Sequence, residues 1–428
     1  MQIKKKIKIL FYLEEILKKL VLLESEMTHT GGHFLDYLIE TTIYFKKKFK
    51  IIWFLNKNCN LRDSYVPSEI EIKKIIVSNN FRRKENKFLY FSEELFFLTK
   101  NFFEIFYFIL FFLKKKKLKI FLKTLVSNYF VIPRYFKSFY FEVINCKLDK
   151  NDHIFVQSCR RKDISCIYFF SNIESSFPKI HLRVFFPPRK RFKSFFFYLS
   201  KIEKFIVEKK IFLYTENGYK YELINQEMCS KQFLNKTTPI FSFSQRSFND
   251  IDLTIGFVGQ ARKDKGFHLL PELISRLEKK KINLNYLIQF TSTVDMKYYE
   301  DQIVNKAKSN TRIKIINKYC DYEEYRDILK KIDIMPILHD LKHLTVGNSS
   351  VVYSCITHEI PVVIPENCLH LKKMLIFKSY EEAKSLEDFI DKIILISNNF
   401  NFYLKESKKL AISFKNTIND SALIKNLN

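Results

Sequence analysis

The residues best suited to chemistry lie in a basic loop in the second half of the chain. The segment GQARKDKG (259–266) follows an apolar run and precedes residues with helical spacing. A guanidinium at Arg262 and an ammonium at Lys265 suit a diphosphate, which arginine binds through two parallel hydrogen bonds. Gly259 would let the backbone turn so that both side chains project toward the ligand. A solvated basic turn is the alternative interpretation in so lysine-rich a chain.

A second loop combines a glycine with small polar residues at the start of a predicted helix. It reads TVGNSS (345–350) and contains Gly347, Asn348, Ser349 and Ser350. Free backbone N–H groups and the positive end of the helix dipole attract an anion at such a place. Ordinary capping by Asn348 or Ser349 explains the same residues. The pairing with the basic loop favours phosphate binding.

A glycine turn near the N-terminus carries two histidines. The segment THTGGH (28–33) places Gly31 and Gly32 between His29 and His33. Glycines at such a turn let a ligand approach the backbone, and a histidine beside them could orient a bound ligand. A structural role for His33 remains the alternative.

Strands alternate with helices along most of the chain, which predicts an α/β fold with parallel sheets covered on both faces. The predicted strands are 20–24, 50–55, 153–157, 210–214, 255–258, 286–291, 312–317, 333–338 and 360–364. The predicted helices are 34–45, 193–208, 266–280, 323–331 and 349–358, with 60–150 mostly helical and 164–172 ambiguous. Ligands bind at the carboxyl ends of parallel strands. The basic loop and the Gly347 loop are therefore expected at one edge of a sheet.

Length and composition indicate two globular domains. A chain of 428 residues exceeds one ordinary domain, and 47% hydrophobic residues exclude wholesale disorder. Periodicity vanishes over 239–252, where Ser, Asn and Asp cluster. This predicts an N-terminal domain over 1–245 and a C-terminal domain over 246–400. Residues 401–428 would form a C-terminal helix, with a return to the first domain left open.

The formal net charge is +27, from 73 Lys+Arg against 46 Asp+Glu. It indicates either an anionic partner or a bias of composition toward Lys, Phe, Ile and Asn, and the charge alone does not separate them. Nucleic acid is the less favoured partner because the basic runs are scattered and no recognised binding motif occurs. An anionic membrane surface stays a candidate.

One segment is a candidate for membrane contact. Phe102–Leu113 is rich in Phe and is followed by Lys114–Lys117. It is too short to span a bilayer and contains Glu104, but it could lie in a membrane interface. A core helix followed by a solvated lysine turn is the alternative. The apolar stretch at the start of the chain is interrupted by Glu14 and Glu15, which argues against a signal peptide.

Eight cysteines are scattered without any C-x-x-C pair. This spacing predicts no metal site, and reduced thiols indicate the cytoplasm. We expect a cytoplasmic protein, with peripheral attachment to the inner face of the plasma membrane as an open option.

Three segments together resemble the C-terminal half of the retaining GT-B glycosyltransferases, glycosyltransferase family four. They are 259–271 (GQARKDKGFHLLP), 325–336 (YRDILKKIDIMP) and 347–365 (GNSSVVYSCITHEIPVVIP). TGGHFLDY (30–37) is similar to the glycine-rich opening of the same fold. The resemblance implies two Rossmann-like domains with parallel sheets facing a cleft. It also implies a nucleotide-diphosphate sugar as donor, a glycan or lipid-linked acceptor, no metal or cofactor, and retention of configuration.

The resemblance assigns residues to roles. The expected catalytic residues are His33, Arg262 and Lys265, with Gly31, Gly32 and His33 on the acceptor side. The expected donor-binding residues are Gly259, Arg262, Lys265, Gly347, Asn348, Ser349, Ser350 and Ser354. Positive groups and a helix N-terminus would stabilise the charge that develops on the leaving diphosphate.

The chain departs from the family at carboxylates. The glutamate that binds the donor ribose falls on Ser354, the earlier glutamate falls on Val346, and the glycine before the proline falls on Glu359. Glu359 could replace a lost carboxylate from another angle, or lie exposed at a helix end. The alternatives to a transferase are therefore a catalytically weakened or non-catalytic GT-B scaffold, or a basic nucleic-acid-binding protein.

Overall fold

The computed structural model describes residues 17–25, 27, 33–61, 66–67, 69–75, 131–184, 193–215, 234–244, 252–340 and 349–428. The chain divides into two compact units, the first ending at Lys236 and the second beginning at Thr237. The boundary predicted between 245 and 246 falls outside the described residues, as does the segment Phe102–Lys117. No helix in the described part of the chain is long and apolar enough to cross a membrane.

The first unit is built on a parallel sheet of seven strands in the order β3-β2-β1-β4-β5-β6-β7. Its strands are β1 (Lys19–Glu24), β2 (Lys50–Asn56), β3 (Glu71–Ile75), β4 (His153–Val156), β5 (Lys179–Arg183), β6 (Ile211–Thr215) and β7 (Leu234–Lys236). The inner strands read as continuous apolar runs because both faces of the sheet are buried. Leu22 of β1 lies beside Trp53 of β2, and neither side chain is exposed.

The helices of the first unit cover the sheet with aromatic side chains. They are α1 (His33–Phe45), α2 (Val131–Asn145), α3 (Arg161–Ile173) and α4 (Lys193–Val207). Phe139 of α2 meets Phe170 of α3 edge to face, with ring centroids 5.4 Å apart. The ambiguous run 164–172 is thus helical. The prediction of mostly helix over 60–150 is wrong at β3, whose polar sequence EIKKI belongs to an edge strand that is largely open to solvent.

The second unit contains two parallel three-stranded sheets joined into one order, β10-β9-β8-β11-β12-β13. The strands are β8 (Thr254–Gln260), β9 (Asn285–Thr291), β10 (Ile313–Asn317), β11 (Met335–Pro336), β12 (Val362–Pro365) and β13 (Tyr380–Ala383). A parallel bridge between Ile255 and Ile334 joins the halves, and the Gly256 N–H donates to the Ile334 carbonyl at 2.9 Å. The parallel sheet predicted over 255–364 is confirmed.

The helices of the second unit are α5 (Leu270–Lys279), α6 (Lys297–Ser309), α7 (Tyr322–Leu329), α8 (Ser350–Thr357), α9 (Leu369–Met374), α10 (Leu386–Asn398), α11 (Phe400–Asn419) and α12 (Ala422–Leu427). The predicted single helix 266–280 is wrong at its start. Two 3₁₀ turns, Lys263–Lys265 and Phe267–Leu269, precede α5 because Gly266 between them is left-handed, with φ 74°. The start of α11 packs into the core of this unit, and the return of 401–428 to the first domain stays a prediction.

Candidate functional site

The strand order of the second unit reverses direction between β8 and β11. From β8 the chain proceeds outward to β9 and β10, and from β11 it proceeds to β12 and β13 on the other side. Such a switch point opens a crevice outside the carboxyl ends of the two central strands, where doubly wound sheets bind ligands. The basic loop leaves β8 here, and the connection to α8 leaves β11 here. The residues that follow β8 and those that follow β11 therefore begin at the same edge, and the position of the Gly347 loop stays a prediction.

The basic loop contacts the segment that follows β11. The Asp340 N–H donates to the Asp264 carbonyl at 3.0 Å. A Cβ on Gly266 would lie 2.1 Å from the Leu338 carbonyl oxygen, so only glycine fits where the loop crosses that segment. The positive φ of Gly266 requires the same residue. Glycine therefore fixes the loop over the crevice.

Gly259 and Lys265 meet across the loop. Gly259 has φ +126°, a conformation that side chains rarely allow, and a Cβ there would lie 3.1 Å from the Lys265 Nζ. The Gly259 N–H donates to the Gln289 Oε1 of β9 at 3.0 Å, which holds the turn in place. The missing side chain thus leaves room for the lysine ammonium beside the backbone.

Lys265 carries a poorly solvated charge. Burial, followed by the positive charge of Arg262, lowers the pKa of Lys265 below its usual value, and Asp264 acts in the opposite direction. In the described part of the chain no carboxylate forms an ion pair with this ammonium. A half-buried cation that has no ion pair with a described carboxylate is suited to an anionic ligand, since an opposite charge would offset its desolvation.

Arg262 does not project freely from the loop. Its guanidinium forms a salt bridge with the Asp264 carboxylate, in which Nε lies 2.9 Å from Oδ1 and Nη2 contacts Oδ2. The side chain stays 40% exposed, so its remaining N–H groups can reach a ligand. Asp264 thereby orients the arginine and partly neutralises it, which sequence reasoning had not identified.

The helix after β11 begins with an unsatisfied serine. Ser349 precedes α8 in an extended conformation, and its side chain makes no capping hydrogen bond. Its Oγ is buried and has no hydrogen-bond partner among the described residues. Ser350 is the first helical residue, whereas Gly347 and Asn348 lie outside the described residues. The predicted contribution of these backbone N–H groups stays a prediction.

Ser354 is buried on the inner part of α8, with 8% of its surface exposed. Its carbonyl accepts hydrogen bonds from the His358 backbone N–H at 3.1 Å and from His358 Nδ1 at 2.9 Å. Because a carbonyl oxygen can only accept a hydrogen bond, His358 Nδ1 carries the hydrogen in this contact. The Ser354 hydroxyl therefore lies close to the helix backbone. A glutamate carboxylate at the same position would reach much further.

The glutamate in place of the family's glycine ends α8 in a strained conformation. Glu359 has φ 58°, and the flanking hydrogen bonds run from Glu359 N to the Ile356 carbonyl and from Ile360 N to the Cys355 carbonyl. This is a Schellman motif, whose left-handed position favours glycine. Its Oε2 is buried without a partner among the described residues, so Glu359 does not lie exposed as one reading of the sequence had it.

The first unit also reverses its strand order, between β1 and β4. Gly31 and Gly32 of the glycine turn lie outside the described residues. His33 is the first residue of α1, and its side chain is outside them as well. The acceptor-side role of these three residues stays a prediction.

A buried polar network, missed from the sequence, lies at the carboxyl ends of β1 and β4. The Asp163 carboxylate accepts from Ser25 Oγ at 2.7 Å, from Tyr135 Oη at 2.7 Å and from the Arg160 N–H at 2.8 Å. Asp163 has no exposed surface. The signal available in the sequence was an aspartate at the third position of an apolar helix.

Arg183, at the end of β5, is the second charged group missed at this edge. Its Nε donates to the Gln157 carbonyl at 2.6 Å, and its guanidinium lies 4.5 Å from the centre of the Tyr37 ring. Gln157 in turn donates from Nε2 to Thr41 Oγ1 at 2.9 Å. The three elements β4, β5 and α1 are thereby held together by polar contacts.

A cavity of about 640 Å³ opens at the carboxyl ends of β8, β11, β12 and β13. Its charged and histidine lining consists of Lys263, Asp264, His268, His339, Asp340, Glu366 and Lys384. Cations and carboxylates alternate in this lining, so it selects no single class of ligand. Neither Arg262 nor Lys265 lines it. In the residues that the structure describes, no group of His, Cys, Asp and Glu is arranged to hold a metal ion.

No protein-family model matches the chain, and no curated protein matches it by sequence. Solved structures are similar to it in fold. One is sucrose-phosphate synthase from Thermosynechococcus elongatus, at 8% identity and a TM-score of 0.56, with 94% of this chain and 95% of that chain covered.

Another is the Anabaena protein HepE in complex with UDP, at 9% identity and a TM-score of 0.58, over 94% of this chain and 95% of that one. A glycosyltransferase from Rickettsia africae ESF-5 is 11% identical with a TM-score of 0.56, over 96% of both chains. These proteins are glycosyltransferases of the GT-B fold. The predicted GT-B fold, with a parallel sheet in each of two Rossmann-like units, is confirmed, and at these identities the likeness concerns the fold alone.

Proposed function

We propose that the chain is a glycosyltransferase that takes a sugar from a nucleoside-diphosphate sugar. One observation carries the proposal. The Lys265 ammonium lies against Gly259 at the switch point of the second unit without a carboxylate partner in the described chain. An ammonium that lacks such a partner before a ligand binds is suited to the diphosphate of a donor.

In the proposed reaction the diphosphate is the leaving group, and negative charge grows on it as the bond to the sugar carbon breaks. Lys265 and the free N–H groups of Arg262 would stabilise that charge because they are already oriented and partly desolvated. Asp264 would hold the guanidinium in place. The Ser349 hydroxyl and the N-terminus of α8 would contact the diphosphate from the next strand.

The finer parts of the proposal rest on separate supports. HepE, similar in fold, has UDP bound, which makes a UDP-linked donor the first to test. Retention of configuration, a glycan or lipid-linked acceptor and independence from metal rest on the resemblance of 259–271 and 347–365 to glycosyltransferase family four. The catalytic role of His33 rests on the same resemblance.

A second candidate is a GT-B scaffold that binds a nucleotide without efficient transfer. Ser354 favours it, because a buried hydroxyl stands where the family places the ribose-binding carboxylate. Val346, which takes the place of the other carboxylate, cannot accept a hydrogen bond through its side chain. The two candidates share the diphosphate site and differ in turnover.

The test is calorimetry of the full chain with UDP and UMP, using Lys265→Met and its neighbour Lys263→Met as a matched control. A charge-assisted hydrogen bond contributes about 1.5–3 kcal/mol, so Lys265→Met should bind UDP at least about tenfold more weakly. Arg262→Ala should also weaken UDP binding by about tenfold. Lys263 is exposed on the same loop, and its substitution should change affinity less than threefold or so.

Equal affinity of the wild type for UDP and UMP, or equal losses in Lys265→Met and Lys263→Met, would refute the diphosphate site. UDP release from a panel of UDP-sugars then separates the candidates, because a transferase releases UDP faster when an acceptor is present. The anomeric configuration of the product, read by NMR, tests retention.

A further inference from the structure

The helix α11 (Phe400–Asn419) has one face in the core of the second unit and the opposite face in water. Phe400, Tyr403 and Leu404 belong to the core. The open face includes two large apolar side chains, Phe402 at 50% and Ile412 at 63% exposure. Both apolar side chains are therefore accessible to a partner.

Lysines surround these two residues on the same face. Lys405, Lys408, Lys409 and Lys415 are all exposed. Lys409 pairs with Glu406 at 2.7 Å, whereas the other three have no carboxylate partner in the described part of the chain. The face therefore has an uncompensated positive charge.

Helical geometry collects these groups into one stripe. At 3.6 residues per turn, Phe402, Lys405, Lys409 and Ile412 fall within an arc of about 80°. Phe402 and Ile412 are separated by roughly 15 Å along the helix axis, at 1.5 Å per residue. Lys408 and Lys415 extend the stripe on one side. We name the set Phe402, Lys405, Lys408, Lys409, Ile412 and Lys415 the α11 stripe.

We propose that the α11 stripe docks the protein on an anionic lipid surface. The lysines meet the negative headgroups, and Phe402 and Ile412 enter the interface between headgroups and acyl chains. This proposal goes beyond the transferase reaction and does not depend on the diphosphate site.

A lipid surface fits the stripe better than a polynucleotide does. Both partners supply negative charge, and an aromatic ring can stack on a base. Ile412, the more exposed of the two apolar residues, finds no favourable partner along a phosphate backbone, whereas a bilayer interface takes any apolar side chain.

The experiment is vesicle flotation of the full chain with phosphatidylcholine alone and with phosphatidylcholine containing phosphatidylglycerol. The wild type should bind only the anionic vesicles, and binding should weaken in 0.5 M salt or so because salt screens the lysines. Each lysine near an anionic surface contributes about fivefold to partition, so the triple variant Lys405→Gln, Lys408→Gln, Lys415→Gln should bind about 100-fold more weakly.

Two matched controls separate the stripe from general charge and hydrophobicity. Lys308→Gln, Lys314→Gln, Lys331→Gln removes three exposed lysines elsewhere in the second unit and should bind as the wild type does. Phe402→Ser with Ile412→Ser should lose roughly tenfold in partition. Val294→Ser with Tyr298→Ser removes side chains that are 94% and 67% exposed, and it should lose nothing.

Absence of wild-type binding to anionic vesicles would overturn the proposal. Equal losses in the stripe variants and in their controls would do the same. Polynucleotide binding that needs the three stripe lysines, without vesicle binding, would assign the surface to nucleic acid instead.

Discussion

The two units share the strand order 3-2-1-4-5-6, which the first unit extends by a seventh strand, but they treat charge at the carboxyl edge differently. In the first unit Asp163 is fully buried and accepts three hydrogen bonds, from Ser25, Tyr135 and the Arg160 N–H. In the second unit Lys265 is half-buried and has no ion pair among the described residues. The buried carboxylate of the first unit is satisfied by the protein itself, whereas the ammonium of the second unit is left for a ligand.

This difference separates stability from binding. A satisfied buried carboxylate holds elements together, and its removal leaves donors without acceptors. A desolvated ammonium without a partner contributes little to folding and much to the affinity for an anion. The chain has a single tryptophan, Trp53, which is fully buried in β2, so its fluorescence reports unfolding of the first unit.

The largest expected effect is at Asp163. Asp163→Ala should lower the free energy of unfolding of the first unit by about 4 kcal/mol, since it leaves three buried donors unsatisfied. Urea denaturation followed by Trp53 fluorescence measures this. Asp163→Asn keeps one acceptor oxygen and should recover part of the loss, and Asp149→Ala, at an exposed turn, should change little. A loss below about 1 kcal/mol would mean that the network is not a stabilising one.

Acid should weaken the first unit through two buried histidines. His153 Nδ1 lies 3.0 Å from His181 Nε2, and His181 Nδ1 lies 3.0 Å from the Tyr214 hydroxyl. Burial, reinforced by Lys179 and Lys18, lowers the pKa of His153 to about 4 from 6.5. Burial, then His153 and Lys179, lowers the pKa of His181 as well.

The sign follows from proton binding. The unfolded histidines bind protons as the pH falls through 6.5, whereas folded His153 does not bind one until about 4, and the pKa of folded His181 is lowered as well. The free energy of unfolding should therefore fall by roughly 2 kcal/mol between pH 7.5 and 5 through His153, and His181 should add to this loss. Trp53 fluorescence in urea at several pH values checks this, and His181→Phe should show a shallower dependence. A wild-type value independent of pH in that window would contradict the assignment.

A smaller gain is expected where α8 ends. Glu359→Gly should raise the stability of the second unit by about 1 kcal/mol, because glycine adopts the left-handed conformation without strain. Calorimetry measures this gain on the unfolding transition of the second unit, which Trp53 fluorescence does not report. Glu359→Ala keeps the strained backbone and removes only the carboxylate, so a gain as large as that of glycine would point to the carboxylate instead.

The smallest change in stability is expected at the residue with the largest effect on binding. Lys265→Met should leave the second unit as stable as before, or more stable by up to about 1 kcal/mol, because it removes a desolvated charge. The same calorimetry measures it. Destabilisation as large as that of Asp163→Ala would erase the contrast between the two edges, and it would make Lys265 a structural residue.

Much of the architecture followed from patterns along the chain. Apolar runs such as LVLLE and KIIWFL predicted β1 and β2, because a strand that is buried on both faces consists of consecutive apolar residues. β5 (Lys179–Arg183) was missed because KIHLR carries three basic or titratable residues. β3 was missed because an edge strand can be polar.

The sequence by itself determined the alternation of strands and helices, the basic loop at Arg262 and Lys265, and the expectation that this loop lies at the carboxyl edge of a sheet. Local spacing was enough, because each depends on neighbours within a few residues. Only the tertiary structure decided how those charges are paired. It joined Arg262 to Asp264, left Lys265 against Gly259, and brought Ser25 and Tyr135 to Asp163. The contacts of Ser25 and Tyr135 with Asp163 join residues far apart in the chain, and the conformation of the basic loop depends on its packing against Leu338; local periodicity encodes neither.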